Sequence, residues 1–359
     1  MTRNSAERGT VPPHQFAEAL VSVLRATLPN SWLVTTEPDS RHDFTVRGLA
    51  PDGTTAVFAV QVKNRIEPRD VSRIAAAARD RRSGALVMAS PFVSPMTRRR
   101  LAEEGIGWFD LMGNLRLMID RPSVFIDRQG ADRGPERDPA DRRLKSLRGA
   151  GSARVVLDLC AEALPIGVRE LAERAEVGPA TSARVLELLA REAVLDRGAQ
   201  GQVTAVRKQA LIRRWIQDYG LTRSNALSAV IDPRGIGNVL DKLRESRQRY
   251  VITGSAAAHA YLPSGVVPVA PLMTLVVYAE NPAVLMRAAS LRETSRGANM
   301  LLGSPFDDLV YARSRTVDGL AYADPAQVVA DLLTGPGRAP EEAEQLLATL
   351  AAEDASWAA

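Results

Sequence analysis

Apolar residues recur along this chain with two different periods, and the change from one to the other divides it into four segments. Between residues 13 and 127 the two periods take turns. HQFAEALVSVLRATL reads as a helix, followed by short β-rich runs at WLVTT, DFTVRGL and TAVFAVQVK. PRDVSRIAAAARDR predicts a second helix, GALVMAS a strand, SPMTRRRLAEEG a third helix, and LRLMI and SVFID the last strands. Such alternation predicts an α/β unit on one central sheet. Residues 128–150 hold almost no large apolar side chains and carry both charge signs, the composition of a linker. Residues 151–222 are mainly helical, and residues 223–359 form a second α/β unit. The expected fold class is multidomain α/β plus α.

Composition adds bounds. A length of 359 residues suits about two or three domains. The 45% hydrophobic and 25% charged content is that of ordinary globular protein. No run of about 18 uncharged apolar residues exists, so no membrane span is expected. The N-terminal MTRNSAERGTVPPHQF lacks the apolar core of a secretory signal, and Cys160 is the only cysteine, which leaves no internal disulfide. A cytoplasmic location is expected. Charge is uneven: from Arg207 to Arg249, ten cations face Asp218, Asp232, Asp241 and Glu245, and 10 − 4 = +6. A polyanion is drawn to that stretch.

The segment after the linker carries the most specific local pattern. SARVVLDLCAEA places Val155, Val156, Leu159 and Cys160 on one helical stripe. VRELAERA is a second helix, and EVG a tight turn in which Gly178 is expected to supply positive φ. PATSARVLELLAREA opens with Pro179 and buries Val185, Leu188 and Leu189. VLDRGAQGQVTAV reads as a hairpin around Gly198–Gly201. Helix, turn, helix, hairpin is the winged helix-turn-helix order, in which the third helix enters the major groove of double-stranded DNA. Its first turns offer Thr181, Ser182 and Arg184 to the duplex, with Arg184 suited to bidentate pairing with guanine. Arg197 and Gln202 on the hairpin reach backbone or minor groove, and the adjoining basic helix adds Arg207, Lys208, Arg213 and Arg214. LAERAEVGPATSARVLELL resembles the winged helices of MarR-like and IclR-like regulators. A winged helix used only for protein contacts is the plain alternative.

Two further resemblances concern the flanking segments. Asp43 opens the strand DFTV, and Gln61 and Lys63 alternate on one face of VFAVQVKN, so the three can converge across a hairpin. That spacing resembles the PD-(D/E)xK nuclease superfamily in its Mrr-type QxK form, over most of residues 13–127. The resemblance implies Asp43 and Gln61 as Mg²⁺ ligands, Lys63 as the phosphate-facing cation and Glu18 as an extra carboxylate. Gln61 departs from the pattern because it brings no negative charge. Arg98, Arg99 and Arg100 begin a helix, where they would hold phosphates or simply solvate a surface. RYVITGSAAAHAYLP followed by MTLVVYAEN resembles a minimal nucleotidyltransferase domain as found in AbiEi-type regulators and antitoxins. Its strand from Met273 to Tyr278 lacks the metal-binding Asp pair, so this domain is expected to be non-catalytic, with Ser255 as a helix cap.

These observations predict a DNA-binding transcriptional regulator that works as a homodimer and needs no cofactor to bind DNA. The rivals are a Mg²⁺-dependent endonuclease using Asp43, Gln61 and Lys63, and an antitoxin that contacts a toxin through its C-terminal domain. The expected boundaries are 1–127, 128–150, 151–222 and 223–359.

Overall fold

The computed structural model describes residues 11–80, 85–132, 144–161 and 163–358. The chain divides into two compact units, Met1–Arg142 with Arg191–Ala193, and Arg143–Ala190 with Val194–Ala359. Both are mixed α/β. Of the expected linker, residues 133–143 lie outside the described residues. No helix among the described residues is long and apolar enough to cross a membrane.

The first unit runs α1 (Pro13–Thr27), β1 (Leu33–Glu37), β2 (Phe44–Leu49), β3 (Thr55–Val62), α2 (Val71–Asp80), β4 (Ala85–Ser90), α3 (Pro95–Glu103), β5 (Gly107–Asp110), β6 (Leu115–Ile119) and β7 (Val124–Arg128). Its seven strands pair in sequence order, β1-β2-β3-β4-β5-β6-β7. The flanking pairs are antiparallel, while β3, β4 and β5 run parallel because α2 and α3 carry the chain back over the sheet. Alternation along the strands makes two apolar faces. Phe44, Val46, Phe58 and Val60 pack on one side with Phe16, Leu20 and Leu24, which recur every four residues along α1. Met88 and Trp108 point to the other side and meet Ile74 of α2 and Leu101 of α3.

Trp108 and Phe109 of β5 enter the core, and Leu111 and Met112 turn the chain back towards β6. What holds it is polar. Asp110, fully buried at the end of β5, accepts hydrogen bonds from the backbone N–H of Val93 (3.0 Å), Met112 (2.9 Å) and Asn114 (3.1 Å). The Asn114 amide also donates to it (3.0 Å), and the Asn114 carbonyl oxygen receives Arg98 (2.6 Å). Arg98 is only 8% exposed, so it is a strut inside this network rather than part of a solvated or phosphate-holding run. Arg99 stays exposed beside Glu103.

The second unit comprises α4 (Ala150–Ala161), α5 (Val168–Arg174), α6 (Pro179–Arg191), β8 (Leu195–Arg197), β9 (Val203–Val206), α7 (Lys208–Trp215), α8 (Leu221–Ser224), β10 (Ala226–Ile231), α9 (Ile236–Glu245), β11 (Tyr250–Thr253), α10 (Ser255–Tyr261), β12 (Leu275–Ala279), α11 (Pro282–Ala288), β13 (Arg292–Glu293), β14 (Met300–Ser304), α12 (Leu309–Ala312), β15 (Arg315–Val317), β16 (Leu320–Tyr322), α13 (Pro325–Leu333) and α14 (Ala339–Glu353). A two-stranded β8-β9 hairpin stands apart from a seven-stranded sheet of order β13-β10-β14-β12-β11-β16-β15. One hydrophobic cluster spans both parts: Val155, Leu171, Val185 and Leu189 of the helices belong to it together with Ile252, Val277, Leu302 and Val328 of the sheet and α13. Helix α7 is the joint. It buries Leu211, Ile212 and Trp215, and Trp215 stacks on Tyr219 at 4.5 Å.

Candidate functional site

Helices α5 and α6 form a helix–turn–helix whose corner is closed by backbone bonds. Val177 N–H donates to Ala172 O (2.9 Å) and Ala175 N–H to Leu171 O (2.9 Å). The left-handed residue is Glu176, with φ of 52°, and not Gly178 as expected. The chain therefore reverses at the residue just past the end of α5, the usual position for a left-handed helix cap. Pro179 then starts α6, and Thr181 and Ser182 N–H both donate to Gly178 O.

Burial on α6 sorts the expected contact residues. Val185, Leu186, Leu188 and Leu189 face the core, while Pro179, Ala180, Arg184 and Glu187 are exposed. Ser182 corrects the sequence expectation: it is fully buried, and its hydroxyl donates to Val168 O (3.3 Å), tying α6 to α5. Thr181 is half-buried next to Gly151 of α4, where an added Cβ would sit 3.5 Å from its methyl. Arg184 is exposed, and its Nε donates back to Ala180 O (3.1 Å). On the hairpin Arg197 is exposed and donates to Gly201 O (2.8 Å). Gln202 is folded over Gly198, where a Cβ would come within 2.6 Å of its amide, so its side chain packs the turn and does not extend outward.

The basic helix also differs from expectation. Arg207 pairs with Asp196 across the hairpin (3.0 Å), Lys208 with Asp354 (2.7 Å) and Arg213 with Glu344 (2.7 and 2.9 Å). Arg214 is 5% exposed and bonds Asp218 (2.9 Å) and Lys145 O (3.1 Å). Lys208 and Ser356, bonded to Asp354, hold its carboxyl down to about 2. Lys208 and Arg213 thus bind acids at or near the C-terminal helix, and Arg214 is out of reach of any duplex. Lys208 and Arg213 find their acids more than a hundred residues away, whereas Arg223, Arg234, Arg244, Arg247 and Arg249 of the same stretch are exposed.

In the first unit the register Phe44↔Val60 sets Asp43 beside Gln61. Asp43 is exposed and accepts the Val62 N–H at 2.7 Å. Gln61 and Lys63 are half-buried and line a cavity of about 330 Å³ with His42, Arg73, Arg79 and Glu104, and Asp43 is not among its walls. Glu18 is exposed on α1, which packs against the sheet face opposite to α2 and α3. It is not brought to Gln61 and Lys63, because the alternation that buries Val60 under α1 turns its neighbours the other way. Among the described residues no group of three or more His, Cys, Asp or Glu is placed to hold a metal. One carboxylate already bonded to backbone and one neutral carboxamide are a poor donor set for Mg²⁺, which favours several hard anionic oxygens.

A third constellation was not read from the sequence. Asp331 of α13, fully buried, accepts from the hydroxyls of Tyr219 (2.5 Å), Thr253 (2.6 Å) and Tyr278 (3.0 Å) and from the Gln327 amide (2.9 Å). Burial pushes its carboxyl up to about 6, against the pull of these donors. The signal available was a lone acid inside the apolar run AQVVADLL. Ser255 is likewise no helix cap: its hydroxyl donates to the buried Glu342 (2.7 Å). His259 lies 3.3 Å from the same carboxylate. Compared with protein-family models, with curated proteins and with solved structures, the chain matches none of them.

Proposed function

We propose that this chain is a DNA-binding transcriptional regulator in which α4–α6 and the β8-β9 hairpin act as a winged helix and α6 is the recognition helix. The observation that carries this reading is the exposed side of the N-terminal half of α6, formed by Pro179, Ala180 and Arg184. Pro179 and Ala180 are small, so the helix backbone can approach a groove floor, and Arg184 stands on the same exposed side to pair with a guanine edge. Behind that face, Val185, Leu186 and Leu189 anchor the helix to the core, so reading costs no unfolding. Arg197 at the hairpin supplies a phosphate contact.

Retention of a randomised duplex pool, followed by selection and anisotropy titration, tests this directly. Binding should weaken as salt rises, and Arg184→Ala should cost about 1–3 kcal/mol on the selected sequence while a scrambled duplex changes little. If no duplex is retained at any salt concentration, the reading is wrong.

Cleavage at Asp43, Gln61 and Lys63 has less behind it, because the donor set described above is poor for Mg²⁺. Supercoiled plasmid incubated with the protein and Mg²⁺ or Mn²⁺ should stay intact on agarose gels. Nicking that disappears in Lys63→Ala would promote the nuclease reading over this one.

A further inference from the structure

A second cavity, about 470 Å³, lies between the start of α10, the segment leading into β12, and the turn from α13 to α14. Its walls are mostly apolar, with Leu221, Met273, Val276, Leu301 and Leu332 among them. Two buried carboxylates, Asp331 and Glu342, also line it, and the cation in its lining is Arg338 on the exposed turn. The size suits a small organic ligand.

The two acids are not equivalent. Asp331 is saturated by its four donors. Glu342, 4% exposed, receives Ser255 on one oxygen (2.7 Å) and faces His259 on the other (3.3 Å). A carboxylate offers about four acceptor positions, so Glu342 keeps capacity unused inside an apolar wall. Buried anionic oxygens in such surroundings are costly unless a cationic donor meets them.

We propose that this cavity is a binding site for a compact organic cation, an apolar body bearing an ammonium group that docks on Glu342. The ammonium forms a charge-assisted hydrogen bond with the carboxylate, and the body fills the space walled by Met273, Val276 and Leu301. An anionic ligand such as a nucleotide would bring phosphates against two carboxylates, so the site selects against it. The inference stands on the cavity alone and does not depend on DNA binding.

Calorimetric titration of the full chain with three probes of one skeleton separates charge from shape: tryptamine, tryptophol and indole-3-propionate. Tryptamine should bind roughly tenfold more tightly than the neutral alcohol, and the acid should give no heat. Glu342→Gln should erase the preference for the amine while leaving the alcohol unchanged. Met273 is 71% exposed at the rim, so Met273→Arg leaves the core intact and should weaken tryptamine by about fivefold through repulsion; this variant decides the matter if Glu342→Gln does not fold. Equal affinity for all three probes, no heat from tryptamine up to millimolar concentration, or displacement of tryptamine by ATP would each overturn the proposal.

Discussion

Asp110→Ala is expected to destabilise the first unit by about 3–5 kcal/mol, seen as a large fall in the urea midpoint followed by tryptophan fluorescence. The side chain is fully buried and serves three backbone N–H groups and the Asn114 amide. Truncation leaves all four donors in a space that excludes water, and each orphaned donor costs about 1–3 kcal/mol before relaxation. The damage spreads further, since Asn114 also receives Arg98 and the Gly130 N–H (2.9 Å) and so fixes the chain beyond β7. Asp110→Asn, which keeps one acceptor oxygen, should cost less than half as much. A midpoint unmoved by the alanine change would show that water or a shifted loop replaces the carboxylate.

Asp331→Asn should change how stability depends on pH. In the folded chain burial raises this carboxyl from 3.8 to about 6, so the folded state holds its proton more tightly than the unfolded state does. The stability conferred by that proton is complete below 3.8 and is lost as pH rises through about 6. A shift of about two pH units corresponds to roughly 3 kcal/mol over that window. The asparagine variant carries no such proton, and the hydroxyls of Tyr219, Thr253 and Tyr278 can rotate to suit its amide. Relative to the native chain, the variant should therefore gain roughly 3 kcal/mol between pH 4 and pH 8. Carboxylates that Lys208 and other partners hold down, such as Asp354, lose stability in acid in both proteins and cancel from the difference. Parallel stability curves from urea titrations across that range would remove the buried proton from the account.

Much of the secondary structure was legible because it depends on near neighbours. The stripe Phe16, Leu20 and Leu24 predicts α1, and the alternation in TAVFAVQVK predicts β3 with Gln61 and Lys63 on one side of it, where both line the same cavity. The order of helix, turn, helix and hairpin between residues 151 and 206 was readable for the same reason. β5 was missed because Trp108–Asp110 is too short to display a period, and only its neighbours β4 and β6 make it a strand. Composition favours Gly178 for the left-handed position, yet the register of the turn gives that conformation to Glu176.

Side-chain roles were legible only in part. Arg184 and Arg197 remain exposed as expected, and Ser182 is buried although it is polar and lies in the first turns of α6. One helical step of 100° separates a groove-facing position from a core-facing one, and the packing against α5 decides which residue gets which. The charges of α7 show the same dependence. Arg213 and Lys208 look like a basic patch until Glu344 and Asp354 arrive from more than a hundred residues away.

Taken alone, the order of residues determines the local periods, the turns and the chemical inventory, since these depend on side chains a few positions apart. It leaves undetermined which charges are paired, which hydroxyls are buried and which acids share a cavity. Those features belong to contacts between distant segments, formed only when the sheets and helices close on their cores. Asp331 and Glu342, on the separate helices α13 and α14, line one cavity for that reason.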